Sequence, residues 1–125
     1  MRVLIVSRHK STQNLLKKLF SKYTNDIKIV DHLLSPSDID SDVIAGNIPI
    51  SMFINSRARF YVSVSLELPR ELRGKELDES ELEKYLSFAV YEKIYTRREI
   101  NSIISNMILY LSHDPKIIEK ALFNP

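Results

Sequence analysis

The sequence predicts an α/β domain: a Rossmann-like three-layer fold with a small, mostly parallel four-stranded sheet and C-terminal helices. Three observations lead there. Val3-Leu4-Ile5-Val6 is a continuous apolar run, the form a strand takes when both of its faces are buried in a parallel sheet. Leu15, Leu16, Leu19, Phe20 and Tyr23 follow at a spacing that fills one helical face. Strand-like and helix-like runs then alternate, as parallel crossovers require.

The elements can be justified in order. Ser11 or Thr12 is suited to cap the first helix. Asp26 lies in a turn, and Ile27, Ile29 and Val30 read as the second strand. Residues 33 to 42 form a polar loop. Asp42 to Asn47 reads as a short third strand reaching a turn, and Pro49 suits the first turn of a short helix. Phe60, Val62, Val64 and Leu66 alternate with polar neighbours, which predicts a fourth strand at a sheet edge. Asp78 with Glu81 resembles a capping box. The predicted helix after it carries Leu82, Tyr85, Leu86, Ala89, Val90 and Ile94. A further helix is predicted over Ile100 to Leu111, and a short terminal one over Lys116 to Phe123. With 125 residues the chain suits one domain. Residues 1–95 form its main part, and 96–125 a C-terminal helical extension.

Composition narrows the chemistry. There is no Cys, which removes disulfides, Cys-zinc sites and thiol catalysis. With three His a His-rich metal centre is not expected, and no cofactor is predicted. No run is apolar enough to span a bilayer and no signal-peptide block opens the chain, so a cytoplasmic protein without a membrane partner is expected. The net charge of +2 is too small for long nucleic acid. Yet residues 1 to 25 hold Arg2, Arg8, Lys10, Lys17, Lys18 and Lys22 with no acid. Lys17, Lys18 and Lys22 read as a solvated helix face. The local positive field fits a small anionic ligand.

Three segments with unusual side chains fall at predicted carboxyl ends of strands: Ser7 to Ser11, Gly46 to Pro49, and Glu67 to Arg70. In open parallel sheets ligands bind there, where strand order reverses. If the first and third strands are neighbours, the first two segments border one crevice. Arg8 can grip a phosphate, while Ser hydroxyls and the helix start complete the cradle. His9 is the general acid or base of the cluster. Lys10, Ser11, Asn47 and Pro49 border the same crevice, and Glu67 stands at a strand end. His32 is expected to lie away from the crevice, and His113 to mark a helix stop. The chain lacks a Gly-rich phosphate loop, which counts against triphosphatases and dinucleotide oxidoreductases.

Three motifs together resemble a small CRISPR-associated family of type III systems, the Csx-sixteen group. They are Ser7-Arg8-His9, Gly46-Asn47-Ile48-Pro49, and Leu66 to Pro69 with Glu71 to Leu77. The family reads "SRHPGA", "GxLP" and "LDLPxELRGxEL" at matching order and separation over residues 3 to about 85. Lys10-Ser11-Thr12 departs from Pro-Gly-Ala, and residues beyond about 95 look like an added tail. The resemblance implies a ring nuclease that binds and linearises cyclic oligoadenylate, most often cyclic tetraadenylate, and so switches off antiviral signalling.

Such cleavage is feasible as metal-independent phosphodiesterase chemistry, because RNA carries its own nucleophile in the 2′-hydroxyl. Arg8 could stabilise charge and His9 could move the proton, while Ser7, Ser11 and Asn47 position ribose or phosphate. The two-fold symmetry of a cyclic tetranucleotide suits a homodimer, with the apolar face of the Ile100 to Leu111 helix as one candidate interface. Two other readings stay open: a module that sequesters the cyclic nucleotide without cutting it, and an interaction protein of the CRISPR complex.

Overall fold

The computed structural model describes residues 1–98 and 101–123. Its centre is one six-stranded mixed sheet in the order β2-β1-β3-β4-β5-β6. The strands are β1 (Val3–Val6), β2 (Ile27–Val30), β3 (Val43–Gly46), β4 (Phe60–Leu66), β5 (Leu86–Arg98) and β6 (Asn101–Ser112). β1 pairs in parallel with β2 and β3, and β3 with β4. β5 and β6 add on antiparallel. The helices are α1 (Lys10–Phe20), α2 (Ile50–Ile54), α3 (Glu79–Glu83) and α4 (Lys116–Ile118), the last continued by a π-helical turn over Glu119–Phe123.

This corrects the expected four-stranded, mostly parallel Rossmann-like sheet with C-terminal helices. The segment expected to be helical up to Ile94 is a five-residue helix followed by β5. The segment expected to be a helix over Ile100 to Leu111 is β6; Ile100 itself lies outside the described residues. The reason lies in the periodicity. Leu82, Leu86, Val90 and Ile94 recur every fourth residue, a step that fits a helix and also keeps every residue on one side of a strand. The other residues of the segment decide the matter: Phe88, Tyr91, Tyr95 and Thr96 are aromatic or β-branched and favour strands. The same holds for the Ile-rich β6. β4 is consequently not an edge strand, since β3 and β5 flank it.

Each face of the sheet is covered. Val3 and Ile5 point to the face where α1 buries Leu15, Leu16, Leu19 and Phe20, and Ile118 of α4 closes the same cluster. Leu4 and Val6 point to the other face, against Ile39, Phe53 of α2, and Tyr61. Every residue of β1 is buried, as its continuous apolar run requires. The terminal turn is tied to the end of α1: Tyr23 stacks on Phe123 with ring centroids 4.4 Å apart, and its hydroxyl donates to Glu119 at 3.2 Å. Among the described residues no helix is long and apolar enough to cross a membrane.

β4 pairs with β5 only over Leu86 to Glu92, so the distal parts of β5 and β6 run on as a two-stranded ribbon. Where the ribbon leaves the sheet, Lys93 is 1% exposed. Its Nζ donates to Ser56 O at 2.7 Å, just past α2, and lies 4.4 Å from the centre of the Phe53 ring. No carboxylate pairs with it among the described residues. Burial lowers its pKa from 10.5 to about 8.

Between those two values the unfolded chain holds a proton that the folded chain has released. Stability therefore rises as pH increases from about 8 to 10.5. Chemical denaturation across that window should show the wild type gaining on Lys93→Met, in which the slope from this group is gone. Parallel pH profiles for the two proteins would show that the ammonium is not penalised by burial.

Candidate functional site

The strand order reverses between β1 and β3: β1 leads outward to β2, β3 outward to β4. α1 leaves β1 on one face and α2 leaves β3 on the other, so a crevice opens at their carboxyl ends. The two strands come unusually close. Gly46, paired with Val6, has φ +136°, and a Cβ there would stand 2.0 Å from Val6 O. The third strand can end against the first only with glycine at this position.

Ser7, Arg8 and His9 form the turn out of β1. Ser7 N donates to Val30 O at 3.1 Å, and Ser7 Oγ accepts from His9 N at 3.1 Å. α1 starts at Lys10 with His9 as its N-cap residue and no side chain capping it. Ser11 and Thr12 thus lie inside the first turn and do not cap it. The positive end of the helix, with its uncapped amides, points toward the turn.

This turn is a ridge between two cavities. One, about 480 Å³, is bordered by Ser7, Arg8, His9, Asp31, His32, Asn47, Pro49 and Met52. The other, about 750 Å³, is bordered by Arg8, His9, Lys10, Ser11, Thr12, Gly46, Asn47, Ser65 and Glu76 above apolar walls that include Leu15, Val64 and Leu86. Both volumes are within the range of small-molecule sites. Ser7, Arg8, His9 and Asn47 line both cavities.

The expected residues Ser7, Arg8, His9, Lys10, Ser11, Gly46, Asn47 and Pro49 are thus gathered at one place. Glu67 is not. It borders a separate shallow recess with Leu68, Pro69 and Arg73, while its backbone N–H donates to Tyr85 O at 2.8 Å. From the acidic segment it is Glu76 that reaches the larger cavity.

Charge at the site is also narrower than the basic run implies. Arg2 is at the opposite end of the sheet, bound to Asp26 and Asp40 at 3.2 and 3.1 Å; the neighbouring carboxylates raise its pKa, Asp26 most. Lys17, Lys18 and Lys22 are exposed along and just past α1. Arg8 and Lys10 remain at the mouth, and among the described residues neither forms an ion pair. Two exposed cations without carboxylate partners beside a helix start suit an anion.

Two supporting residues carried no sequence signal. Gln13 is 8% exposed on the inner side of α1, and its Nε2 donates to Ser7 O and to Asp31 Oδ1, the latter at 3.4 Å. It ties the β1 turn to the β2 turn. Tyr61 is buried in β4, and its hydroxyl accepts from Ile48 N at 2.8 Å and donates to Ile48 O at 3.0 Å. That double bond fixes the loop carrying Asn47. His32, expected away from the crevice, borders the smaller cavity with His9. A buried polar residue in a helix and a Tyr in a strand are recognisable only once their partners from other elements are known.

The chain also matches a family model, "Putative CRISPR-associated protein (Cas_VVA1548)", over residues 4–91. It belongs to that CRISPR-associated family. The matched stretch contains every residue of the crevice described above. Neither curated proteins nor solved structures give a match.

Tyr61→Phe keeps the ring and its packing but leaves both Ile48 backbone groups without this partner. We expect a stability loss of about 1–3 kcal/mol, the scale for half-buried groups that lose a partner. Hydrogen exchange at the Ile48 amide should also quicken. Unchanged exchange would mean that the loop is held by other contacts.

Proposed function

We propose that this protein is a ring nuclease of the Csx-sixteen group, which binds cyclic oligoadenylate and opens the ring. The observation that carries this reading is the Ser7-Arg8-His9 turn. It forms a ridge lined on both sides by cavities, with Arg8 beside both and Lys10 beside the larger; among the described residues neither cation forms an ion pair. A phosphodiester seated on the ridge would leave room for nucleosides on either side. Membership of a CRISPR-associated family agrees with such a ligand.

The chemistry follows from what is there. Arg8 would grip the phosphate and offset the charge that builds up as the 2′-oxygen attacks phosphorus. Asn47 and Ser7 would hold the ribose and phosphate oxygens in line. His9 would take the 2′ proton. The products would be linear adenylates ending in a 2′,3′-cyclic phosphate.

The test is incubation of pure protein with cyclic tetraadenylate in a chelator, followed by chromatography of the products. Arg8→Ala should weaken binding by about 1.5–3 kcal/mol, the range for hydrogen bonds to charged groups. His9→Ala should slow single-turnover cleavage by about 10²-fold or more, with binding changed much less. If the wild type binds the ring without cutting it, the crevice is a sequestering module. If it does not bind, the reading is wrong.

A homodimer is part of the same proposal, because a two-fold ligand can meet two copies of one turn. The helical interface expected over Ile100 to Leu111 no longer applies. In its place β6 offers an unpaired sheet edge with Leu109 and Leu111 exposed. Light scattering with and without ligand should give twice the monomer mass in at least the bound state; a monomer in both would remove the dimer.

A further inference from the structure

The proposed ring opening needs two proton transfers, and His9 can make only one of them at a time. The 2′-oxygen loses a proton as it attacks, and the 5′-oxygen gains one as its bond to phosphorus breaks. In-line displacement puts these oxygens on opposite sides of phosphorus. A second group must therefore face the phosphate from across the cavity.

His32 stands there. It lies two residues beyond Val30, the last residue of β2, and Val30 is paired with Val6 at the end of β1. The turns after these adjacent strands carry the two imidazoles, and both border the cavity of about 480 Å³. The turns are fixed to one another. Ser7 N donates to Val30 O, and Gln13 bridges Ser7 O to Asp31. His32 is exposed, so a substrate can reach it.

The surroundings of the two rings differ in sign. His9 stands between Arg8 and Lys10 in the chain. His32 follows Asp31, and Asp38 lies close enough to interact with it. The Asp38 carboxyl is held below its usual range by the amides of Ser35 and Leu34 first, and by His32 last.

We propose that His32 is the second proton-transfer residue of this site, the acid that protonates the leaving 5′-oxygen while His9 takes the 2′ proton. The inference rests on the ring-nuclease reading. In the step the O2′–P bond forms and the P–O5′ bond breaks. One proton passes from O2′ to His9 and one from His32 to O5′. Solvent exchange restores both rings.

A leaving-group comparison separates the roles. Cyclic tetraadenylate needs its departing alkoxide protonated, whereas adenosine 3′-(4-nitrophenyl phosphate) releases a stable phenolate unaided. His32→Asn should slow the first by about 10²–10⁴-fold and the second by less than about threefold. His9→Ala should slow both. Equal slowing of both substrates by His32→Asn, or no slowing of either, overturns the proposal while the ring-nuclease reading stands. No cleavage of cyclic tetraadenylate by the wild type overturns both.

Discussion

The close approach of β3 to β1 at Gly46 is the constraint on which the site depends. A side chain at that position would run into the carbonyl of Val6, so the strands could not keep their register to its last pair. That last pair is where the strand order reverses. It brings the Ser7 turn and the Asn47 loop side by side, one leading to α1 and the other to α2. A glycine thus decides where the residues of the crevice meet.

Around this point rigidity comes from buried polar bonds on both sides. On the α1 side Gln13 joins two turns from adjacent strands. On the α2 side Tyr61 grips Ile48 ahead of the helix, and Lys93 binds the Ser56 carbonyl after it. The short helix α2 has only five residues and little stability of its own. It is held at each end by a strand residue from the sheet beneath it. Positions close to the crevice are therefore fixed by groups that do not line it, the kind of preorganisation that the proposed chemistry would need.

Much of the first half was legible because its signals are local. β1 is apolar throughout and the α1 stripe is regular, while Pro49 marks the start of α2 from the cap, one position before the first turn expected for it. The crevice residues were legible for the same reason, since they follow strand ends within a few residues. The second half was misread where local signals are ambiguous. A fourth-residue repeat is shared by helix and strand, and only the β-branched and aromatic content of β5 and β6 separates the two. Glu67 was misjudged because a strand end near a crevice differs from a side chain within it. His32 was placed outside because the parallel pairing of β2 with β1 is not written in either strand alone.

The family match stops at residue 91, one residue short of Glu92, the β5 partner of Phe60 that completes the β4 pairing. The inherited unit therefore ends almost where the sheet ceases to need β5, yet its interior is not closed there. Ile118, 1% exposed, packs into the same cluster as Leu16, Phe20 and Val90. One wall of this interior is thus supplied by sequence that the family match does not cover. In this chain the surface of that segment serves no part of the shared interior, but its apolar plug does: without Ile118 the cluster around Phe20 would stand open on that side.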